Sequence, residues 1–361
     1  MPENTGGHPL TFAKAPVMDR TTLGSKEPET PLMPDELPAG SIEVLSRLPR
    51  VGIIRNARSH RNKNLEVDYL GDPNVISAAP QTKPELAVAL ARFAREKIGL
   101  LVIDGGDGTI RDVLTRAAPV FGDDWPPIIV LPMGKTNALA HNLGLPRQWS
   151  LDDALNAALR GRAVIRRPLV IERLDMAQRD RLGFLLGAGV FNAAIKAGQT
   201  AHRAGAFESL AVGVTSAFGV VQAIVGLGSS PWRNSFGMRL RIGEDLADLP
   251  HSPHGTPDSR FIACFSSLAS FPFGVRPFPK VLAENSLNYL VYDAPLRRAA
   301  AMFPPLMFGS DPAFIGKIGI HRGTTSQIRM DLDDNFILDG ETYPGGSYDV
   351  RLGPELHFVT P

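Results

Sequence analysis

The chain has 361 residues and 43% of them are apolar, which is enough for two domains with buried cores. Its formal net charge is +1 and its basic residues form no long run, so we expect no nucleic-acid partner. The single cysteine, Cys264, excludes an intramolecular disulfide and a cysteine-based zinc site, and it fits a reducing compartment.

Residues 1–47 are rich in Pro, Gly, Thr and Glu and have no sustained period, so we predict a disordered leader. They lack a basic start followed by an apolar run, which argues against a secretory signal. The pattern changes at Arg50. A short apolar strand at 51–54 is followed by a polar loop that runs from Arg55 to Lys63.

Helices and strands then alternate. Residues 84–97 place Leu86, Leu90 and Phe93 at helical spacing. The next elements follow in the order strand 98–103, helix 110–117, strand 127–132 and a helix from Ala138. This repetition predicts a parallel α/β sheet with its loops at one edge, and we place the domain at 48–165.

From about Pro168 onward, short strand-like segments alternate with turn-rich stretches. The predicted strands are 166–174, 184–188, 237–242, 261–266, 287–292 and 327–332. A closing strand within 348–359 is a candidate to return to the first domain. The predicted fold class is therefore an α/β N-terminal domain with a parallel sheet, followed at 166–361 by a mainly β domain with inserted helices.

Residues 209–232 carry no charge, and a segment of this length can span a bilayer. Its glycines, its polar residues such as Gln222 and its place in the middle of an otherwise soluble pattern favour a buried or cleft-lining helix instead. Two further apolar clusters near prolines are either core or cleft wall: Phe271, Phe273 and Phe278, and Met302, Phe303, Leu306, Met307 and Phe308.

The strongest chemical signal is the string Gly105-Gly106-Asp107-Gly108-Thr109, which lies between a strand and a helix. Glycines let the backbone approach a polyphosphate, and the N-terminus of the following helix adds partial positive charge. Asp107 is suited either to hold a magnesium ion or to order the loop, and Thr109 to cap the helix or bind a phosphate. A tight turn without a ligand is the alternative.

A second string, Pro132-Met133-Gly134-Lys135-Thr136-Asn137, follows some two dozen residues later. The pair resembles the diacylglycerol kinase catalytic family, which includes sphingosine and ceramide kinases. Asn56-Ala57-Arg58-Ser59 occupies the place of that family's Asn-Pro-x-Ser nucleotide loop, and Asp339-Gly340-Glu341 matches its Asp-Gly-Glu, whose Asp is the proposed general base. The resemblance covers roughly residues 50–361, and the run 137–140 is more similar to the sphingosine and ceramide branch.

The resemblance implies a lipid kinase that uses ATP and Mg²⁺ in a cleft between a nucleotide-binding domain, 48–165, and a lipid-binding domain, 166–361. It implies phosphoryl transfer to a hydroxyl of diacylglycerol, a sphingoid base or ceramide. We expect a cytoplasmic protein in peripheral contact with the inner face of the membrane that supplies this lipid, with a homodimer as one possible assembly.

The resemblance also implies roles for individual residues. Asp339 and Asp107 are the expected catalytic residues, and Asp107 and Glu341 the expected metal ligands. Asp-Gly-Glu is also an ordinary hairpin turn, and Lys135 is suited equally to a phosphate or to solvent. The expected ATP-binding residues are Asn56, Ser59, Arg61, Gly105, Gly106, Gly108, Thr109, Gly134, Lys135 and Asn137.

This chain departs from the family pattern at several positions. His60, Arg61 and Asn62 replace the glycines that usually follow the nucleotide loop, and Ala138 replaces a carboxylate of the diacylglycerol branch. These departures leave a lipid-binding pseudokinase as an alternative. A relative of NAD kinase is disfavoured because no Gly-x-x-Gly-Phe-Leu element follows Gly105–Thr109 at the expected distance.

Overall fold

The computed structural model describes residues 8–9, 44–45, 47–56, 72–134, 136–190, 235–278 and 285–361. The helices are α1 Lys83–Arg95, α2 Asp107–Phe121, α3 Ala138–Asn142, α4 Leu151–Leu159 and α5 Arg297–Met307, with 3₁₀ helices at Pro272–Gly274 and Ile315–Ile318. The strands, in chain order, are β1 His8–Pro9, β2 Val51–Arg55, β3 Val75–Ala78, β4 Leu100–Gly105, β5 Ile128–Pro132, β6 Arg162–Arg166, β7 Leu169–Arg173, β8 Arg181–Gly183, β9 Leu185–Gly189, β10 Phe236–Ile242, β11 Ala247–Asp248, β12 Ser259–Arg260, β13 Ile262–Ser266, β14 Leu287–Tyr292, β15 Ile320–Thr325, β16 Gln327–Leu332, β17 Phe336–Leu338, β18 Glu341–Tyr343, β19 Gly346–Leu352 and β20 Leu356–Val359.

The first sheet has the strand order β1-β6-β20-β5-β4-β2-β3. Strands β3, β2, β4, β5 and β20 run parallel, whereas β6 and β1 are antiparallel additions. The buried strands are continuous apolar runs because helices cover both faces. On one face Leu90 and Phe93 of α1 pack with Ile103, and on the other Leu155 of α4 packs with Val102. The predicted parallel α/β sheet is confirmed.

The helices of this layer begin where their sequences favour a start. The Thr82 hydroxyl accepts a hydrogen bond from Glu85 N before α1, and Ser150 forms a capping box with Asp153 before α4. Helix α2 begins at Asp107, directly after Gly106, and so extends further than the predicted 110–117.

The rest of the chain forms two antiparallel sheets. The second sheet has the order β11-β10-β16-β19-β7-β8, with β12 beside β10, and the third has the order β15-β14-β13-β9-β17-β18. Their facing side chains, such as Met330 and Tyr348 from the second and Phe265 and Phe336 from the third, form one core. The prediction of a mainly β region is confirmed, and α5 is a helix inserted in it, whereas the helix predicted within 209–232 lies outside the described residues.

The predicted strand 166–174 is present as β7 but begins three residues later, because Arg166 belongs to a different strand in a different sheet. Strand β6 ends at Arg166 in the first sheet and β7 begins at Leu169 in the second. Pro168 interrupts them, since proline has no N–H for a strand ladder and restricts the residue before it. The chain crosses between the two layers at this point.

The chain crosses back between β19 and β20, directly beside the first crossing. Gly353 N donates to Pro168 O over 2.7 Å, and Arg167 Nε donates to Gly353 O over 2.8 Å. Arg167 N also donates to Asn285 Oδ1 at 3.0 Å. Strand β20 thereby lies between β5 and β6 of the first sheet, although it follows the β sandwich in sequence.

Helix α2 connects the two layers. Its Ile110 and Leu114 belong to an apolar cluster that continues into Phe184 and Cys264 beside the third sheet. Leu182 N donates to Thr115 Oγ1 at 3.0 Å, which ties the helix to β8. In the described part of the chain, no helix has the length and hydropathy of a transmembrane span, and the uncharged segment 209–232 lies outside that part.

Candidate active site

Three neighbouring strands of the first sheet, β2, β4 and β5, end at the same edge. Asn56 follows β2, the Gly105–Thr109 string follows β4, and the loop with Gly134 and Asn137 follows β5. The Asn56 Nδ2 atom donates a hydrogen bond to Thr109 Oγ1 over 3.0 Å. The predicted residues of these three loops that lie in the described ranges therefore meet at the carboxyl edge of a parallel sheet, where ligands of such sheets bind.

The glycines of the two loops touch each other. A Cβ atom on Gly106 would lie 2.7 Å from Gly134 Cα, and a Cβ atom on Gly134 would lie 2.7 Å from Gly106 Cα. A Cβ atom on Gly105 would lie 2.5 Å from Thr109 Cβ. Packing between the loops therefore requires Gly105, Gly106 and Gly134 to lack side chains, independently of any ligand.

Gly108 is different, because its nearest heavy atom to a built Cβ is Arg111 Nη2 at 3.8 Å. Nothing in the packing of the chain forbids a side chain there. Gly108 lies in the first turn of α2, where backbone N–H groups have no partner within the helix. Among the glycines of the Gly105–Thr109 string, Gly108 is the one whose lack of a side chain leaves room for a ligand at the helix N-terminus.

Asn137 holds its loop in shape. Its φ is +49°, a left-handed conformation in which asparagine is favoured over most residues. Its Oδ1 accepts from Gly134 N at 2.9 Å, and its Nδ2 donates to Gly134 O at 2.7 Å. The side chain is thus occupied by its own loop.

Asp107 joins the two loops as the first residue of α2. Its carboxylate accepts hydrogen bonds from Ala138 N at 3.0 Å and Leu139 N at 3.3 Å, at the start of α3. Burial raises the pKa of Asp107, and the backbone N–H groups oppose this rise. The contacts give Asp107 the loop-ordering role, and they leave its remaining lone pairs for a metal.

Asp339 approaches from the β layer on the hairpin of β17 and β18. Asp339 and Gly340 form its two-residue turn with φ of +43° and +81°, as a type I′ turn requires. The Asp339 carboxylate accepts from Phe184 N at 3.0 Å and Leu185 N at 2.9 Å. The string Asp-Gly-Glu is therefore a hairpin turn, and the turn presents Asp339 to the site.

A small cleft lies between the two layers and contains both carboxylates. It is lined by Asp107 and Asp339 together with Ile110, Ala138, Leu139, Phe184, Leu185 and Leu268. Burial raises the pKa of Asp339 to about 7, and the nearby Asp107 charge adds to this, while the N–H groups of Phe184 and Leu185 and the Arg111 cation oppose it. A carboxylate with this pKa can accept a proton near neutral pH.

Arg111 belongs to none of the sequence motifs, yet it is buried between the layers with 6% exposure. Its Nη1 donates to Leu338 O at 3.2 Å and Asp339 O at 3.1 Å, and its Nη2 lies 2.6 Å from Glu341 Oε2. Arg111 therefore fixes the turn that carries Asp339. The sequence contained one signal for Arg111, namely its spacing from Asp107. A residue four positions after Asp107 lies on the same face of a helix.

Glu341 is held by cations. Its Oε1 lies 2.8 Å from Lys83 Nζ of α1, and its Oε2 lies 2.6 Å from Arg111 Nη2 and accepts from Tyr343 Oη at 2.9 Å. Burial raises the pKa of Glu341, but the Lys83 hydrogen bond and the Arg111 charge outweigh burial and lower it. These contacts assign Glu341 an ion-pair role, and its role as a metal ligand stays a prediction.

The donor set of the cleft fits magnesium in part. Mg²⁺ is usually held by one or two carboxylates together with substrate phosphates and waters, and the cleft offers Asp107 and Asp339. Within the described ranges, no three His, Cys, Asp or Glu side chains come together as a closed metal site. The residues therefore suit a metal that arrives with a nucleotide.

Asp104, directly before Gly105, is a buried acidic residue that no sequence motif marked. It lies near the end of β4 and is fully buried, and among the described residues neither of its carboxylate oxygens accepts a hydrogen bond. Burial raises its pKa to about 6, while the Arg55 charge opposes the rise.

The predicted ATP ligands Ser59, Arg61 and Lys135 lie outside the described residues.

Comparison with known proteins identifies residues 53–165 as matching the diacylglycerol kinase catalytic domain. A probable lipid kinase, YegS, of Shigella flexneri is 39% identical over 95 residues, which are 25% of this chain and 28% of that protein. YegS of Escherichia coli O1:K1 is 38% identical over the same share of each chain. The match therefore spans about a quarter of these curated relatives.

Solved structures show the same fold over more of the chain. A putative diacylglycerol kinase from Bacillus anthracis str. Sterne superimposes with a TM-score of 0.60 at 14% identity, covering 87% of this chain and 98% of that chain. A second structure from the same organism gives 0.60 at 13% identity over the same shares. Residues 53–165 therefore resemble the diacylglycerol kinase catalytic domain in sequence, and the chain shares the fold of these solved structures.

Proposed function

We propose that this chain is an ATP-dependent lipid kinase that transfers the γ-phosphate to a hydroxyl of a membrane lipid. The observation that carries the proposal is Asp339, a carboxylate with a pKa of about 7 that faces Asp107 across an apolar-walled cleft. Diacylglycerol, a sphingoid base and ceramide are the candidate acceptors. We place the enzyme in the cytoplasm, at the inner face of the membrane.

In this proposal Asp339 accepts the hydroxyl proton of the lipid as the lipid oxygen bonds to the γ-phosphorus of ATP, and the bond from that phosphorus to the β–γ bridging oxygen breaks to release ADP. Two N–H groups, from Phe184 and Leu185, hold the carboxylate and orient its remaining lone pairs. Burial, and after it the like charge of Asp107, raises the pKa of Asp339 to about 7, so that it can take up a proton at neutral pH.

The phosphates bind at the opposite side of the cleft. The open backbone at Gly108 and the N-terminus of α2 offer N–H groups to anionic oxygens. Thr109 Oγ1, oriented by Asn56, adds a hydroxyl. Asp107 would hold a magnesium ion that, when bound, neutralises phosphate charge.

The apolar wall suits the non-reacting part of a lipid. Leu139, Leu185 and Leu268 surround the two carboxylates, so a hydroxyl at Asp339 would lie beside apolar surface. These side chains have no feature that distinguishes one acyl chain from another, so the proposal extends to the lipid class only.

The test is transfer of labelled phosphate from ATP to a panel of diacylglycerol, monoacylglycerol, sphingosine and ceramide in mixed micelles. Asp339→Asn keeps the turn and the acceptor oxygen but not the base, so we expect turnover to fall by about 10³-fold. Asp331→Asn is the matched control, because Asp331 pairs with Arg241 on the second sheet, away from the cleft.

A nucleotide-induced rise in Tm separates the kinase from a lipid-binding pseudokinase. Lipid product that disappears in Asp339→Asn but not in Asp331→Asn supports the kinase. An absence of product with every acceptor, together with an unchanged Tm in ATP and magnesium, overturns it.

A further inference from the structure

Three aromatic side chains are exposed together beside the cleft layer. Phe273 is 82% exposed, Phe308 65% and Phe314 49%. Isolated exposed apolar residues are ordinary, but phenylalanine is usually buried and a group of exposed ones marks an interaction surface. We call Phe273, Phe308 and Phe314 the aromatic rim.

Backbone contacts bring the rim residues into one region. Phe271 N donates to Val275 O at 2.9 Å and closes a turn with Phe273 at its tip. The next residue, Arg276, donates its N–H to Met307 O at 2.6 Å, at the end of α5, where Phe308 follows. Phe314 precedes the 3₁₀ helix Ile315–Ile318, which packs against α5.

Local stability does not account for Phe273. Its φ is +62°, in the left-handed region where a bulky side chain is strained, and the next residue, Gly274, has φ of +73°. Because the side chain is exposed, burial does not offset this strain. Asparagine or glycine would fit the turn better, so a phenylalanine at its tip points to a contact outside the chain.

Positive charge flanks the rim. Arg276 and Lys317 are exposed, and neither lies within ion-pair distance of a carboxylate in the described structure. The acidic groups nearby are already paired, Asp311 with Arg322 and the buried Asp293 with Arg260. Exposed aromatic side chains next to unpaired cations complement the surface of a bilayer that contains anionic lipids.

The rim adjoins the wall of the cleft. Asn142 Nδ2, at the end of α3, donates to Ser270 Oγ at 3.2 Å, and the 3₁₀ helix Pro272–Gly274 packs against α3. Leu139 of α3 and Leu268, two residues before Ser270, both line the cleft. A bilayer in contact with the rim would therefore lie next to the apolar wall that leads to Asp339.

From this arrangement we infer that the aromatic rim docks the protein on an anionic membrane and presents the cleft to the lipid it phosphorylates. The inference rests on the proposed function for its choice of substrate. The docking itself is a binding event that requires neither nucleotide nor turnover, so it can be measured alone.

The test is co-sedimentation of the full chain with phosphatidylcholine vesicles with and without phosphatidylglycerol. Phe273→Asn and Phe308→Gln should each lower the vesicle partition coefficient about fivefold, as expected for partial burial of a phenylalanine. Arg276→Gln should lower it about fivefold on anionic vesicles and leave neutral vesicles unaffected. Met176→Gln is the control, because Met176 is 53% exposed but lies between β7 and β8, away from the rim.

The result that supports docking is loss of vesicle binding in the rim variants with an unchanged or raised Tm, since Phe273→Asn relieves backbone strain. Wild-type binding in both phenylalanine variants overturns the inference. A fall in Tm without a change in binding also overturns it, because the rim would then be covered by the chain itself. A shift from dimer to monomer on size exclusion without a change in binding would assign the rim to a second copy instead.

Activity measurements separate this inference from the proposed function. The ratio of turnover on vesicles to turnover on a short-chain monomeric acceptor should fall in the rim variants. An equal loss on both acceptors overturns docking as the role of the rim. A wild-type chain that binds vesicles through the rim but phosphorylates no lipid refutes the kinase and leaves the docking surface in place.

Discussion

Both carboxylates of the cleft accept hydrogen bonds from two backbone N–H groups, but the α/β side and the hairpin side hold the loops that carry them in different ways. On the α/β side, Asp107 is held by backbone N–H groups of α3, and its loops are held by contact between Gly106 and Gly134. On the hairpin side, the Asp339 turn is held from outside by the Arg111 side chain. Backbone packing holds the loops on the α/β side, whereas a cation holds the turn on the hairpin side. Substitutions on the two sides should therefore differ in their effects on stability and on the pH dependence of activity.

The largest effect is expected for Arg111→Met. It leaves Glu341 and two carbonyl groups without their buried cation, which should cost about 3 kcal/mol of unfolding free energy. It also removes a charge that lowers the pKa of Asp339, so the activity profile should move to higher pH. Denaturant melts and the pH dependence of kcat/KM check both.

Arg111→Lys separates the two roles. Lysine keeps the charge but lacks the planar fork whose two nitrogens reach the two carbonyl groups and Glu341. We expect it to restore most of the pH profile and only part of the stability. A pH profile that stays at the wild-type position in Arg111→Met would show that the residue acts through stability alone.

The next largest effect is expected for Gly106→Ala. Its Cβ atom would meet backbone of Gly134, which cannot rotate away, so we expect a loss of about 2 kcal/mol in unfolding free energy. Gly108→Ala is the matched comparison and should leave the Tm of the free protein almost unchanged while reducing the Tm rise caused by ATP and magnesium. Equal destabilisation by both substitutions would contradict the distinction between packing glycines and the ligand glycine.

The pH dependence of activity and of stability should come from Asp339 on the hairpin side. With Asp339 as the base, kcat/KM should fall about tenfold per pH unit below its pKa of about 7. An aspartate in the unfolded chain has a pKa of about 3.9, so the folded state binds more protons between these values. Stability should therefore decrease as pH rises from about 4 to 7, and Asp339→Asn should remove this slope in urea melts.

The smallest effect is expected for Lys83→Met. Lys83 is half-exposed and its ion pair with Glu341 is open to solvent, so we expect less than about 1 kcal/mol. The change should shrink further in 1 M salt, whereas the Arg111→Met effect should persist more because the Arg111 side chain and its two carbonyl partners are enclosed between the layers. Salt-dependent melts compare the two.

The fold class could be predicted because hydrophobic periodicity and turn-forming residues are features of short segments of the sequence. Strands β14 and β16 coincide with the predicted 287–292 and 327–332, and the buried runs of β4 and β5 were recognisable by their apolar residues. The start of the predicted strand 166–174 was placed too early, because Arg166 ends β6 and the chain leaves one sheet for another across Pro168. Periodicity reports burial and does not report in which sheet a strand is buried.

The site was partly predictable for a similar reason. Short strings placed Asp107, Asp339 and the glycines at turns, and the structure brings these turns together. The Arg111 contacts join residues 228 positions apart, from α2 to the hairpin, so local pattern gave no sign of them. The ion-pair partners of Glu341 were missed because Lys83 and Arg111 lie on helices that the sequence showed only as amphipathic.

The return of β20 to the first sheet has a consequence for synthesis of the protein. Without residues 356–359, β5 would present an open edge and β6 would lack the neighbour that joins it to the parallel strands. During translation, the α/β layer cannot complete its sheet until the β sandwich has emerged from the ribosome. We therefore expect an isolated 48–165 fragment to aggregate, and nascent chains to depend on chaperones until β20 is made.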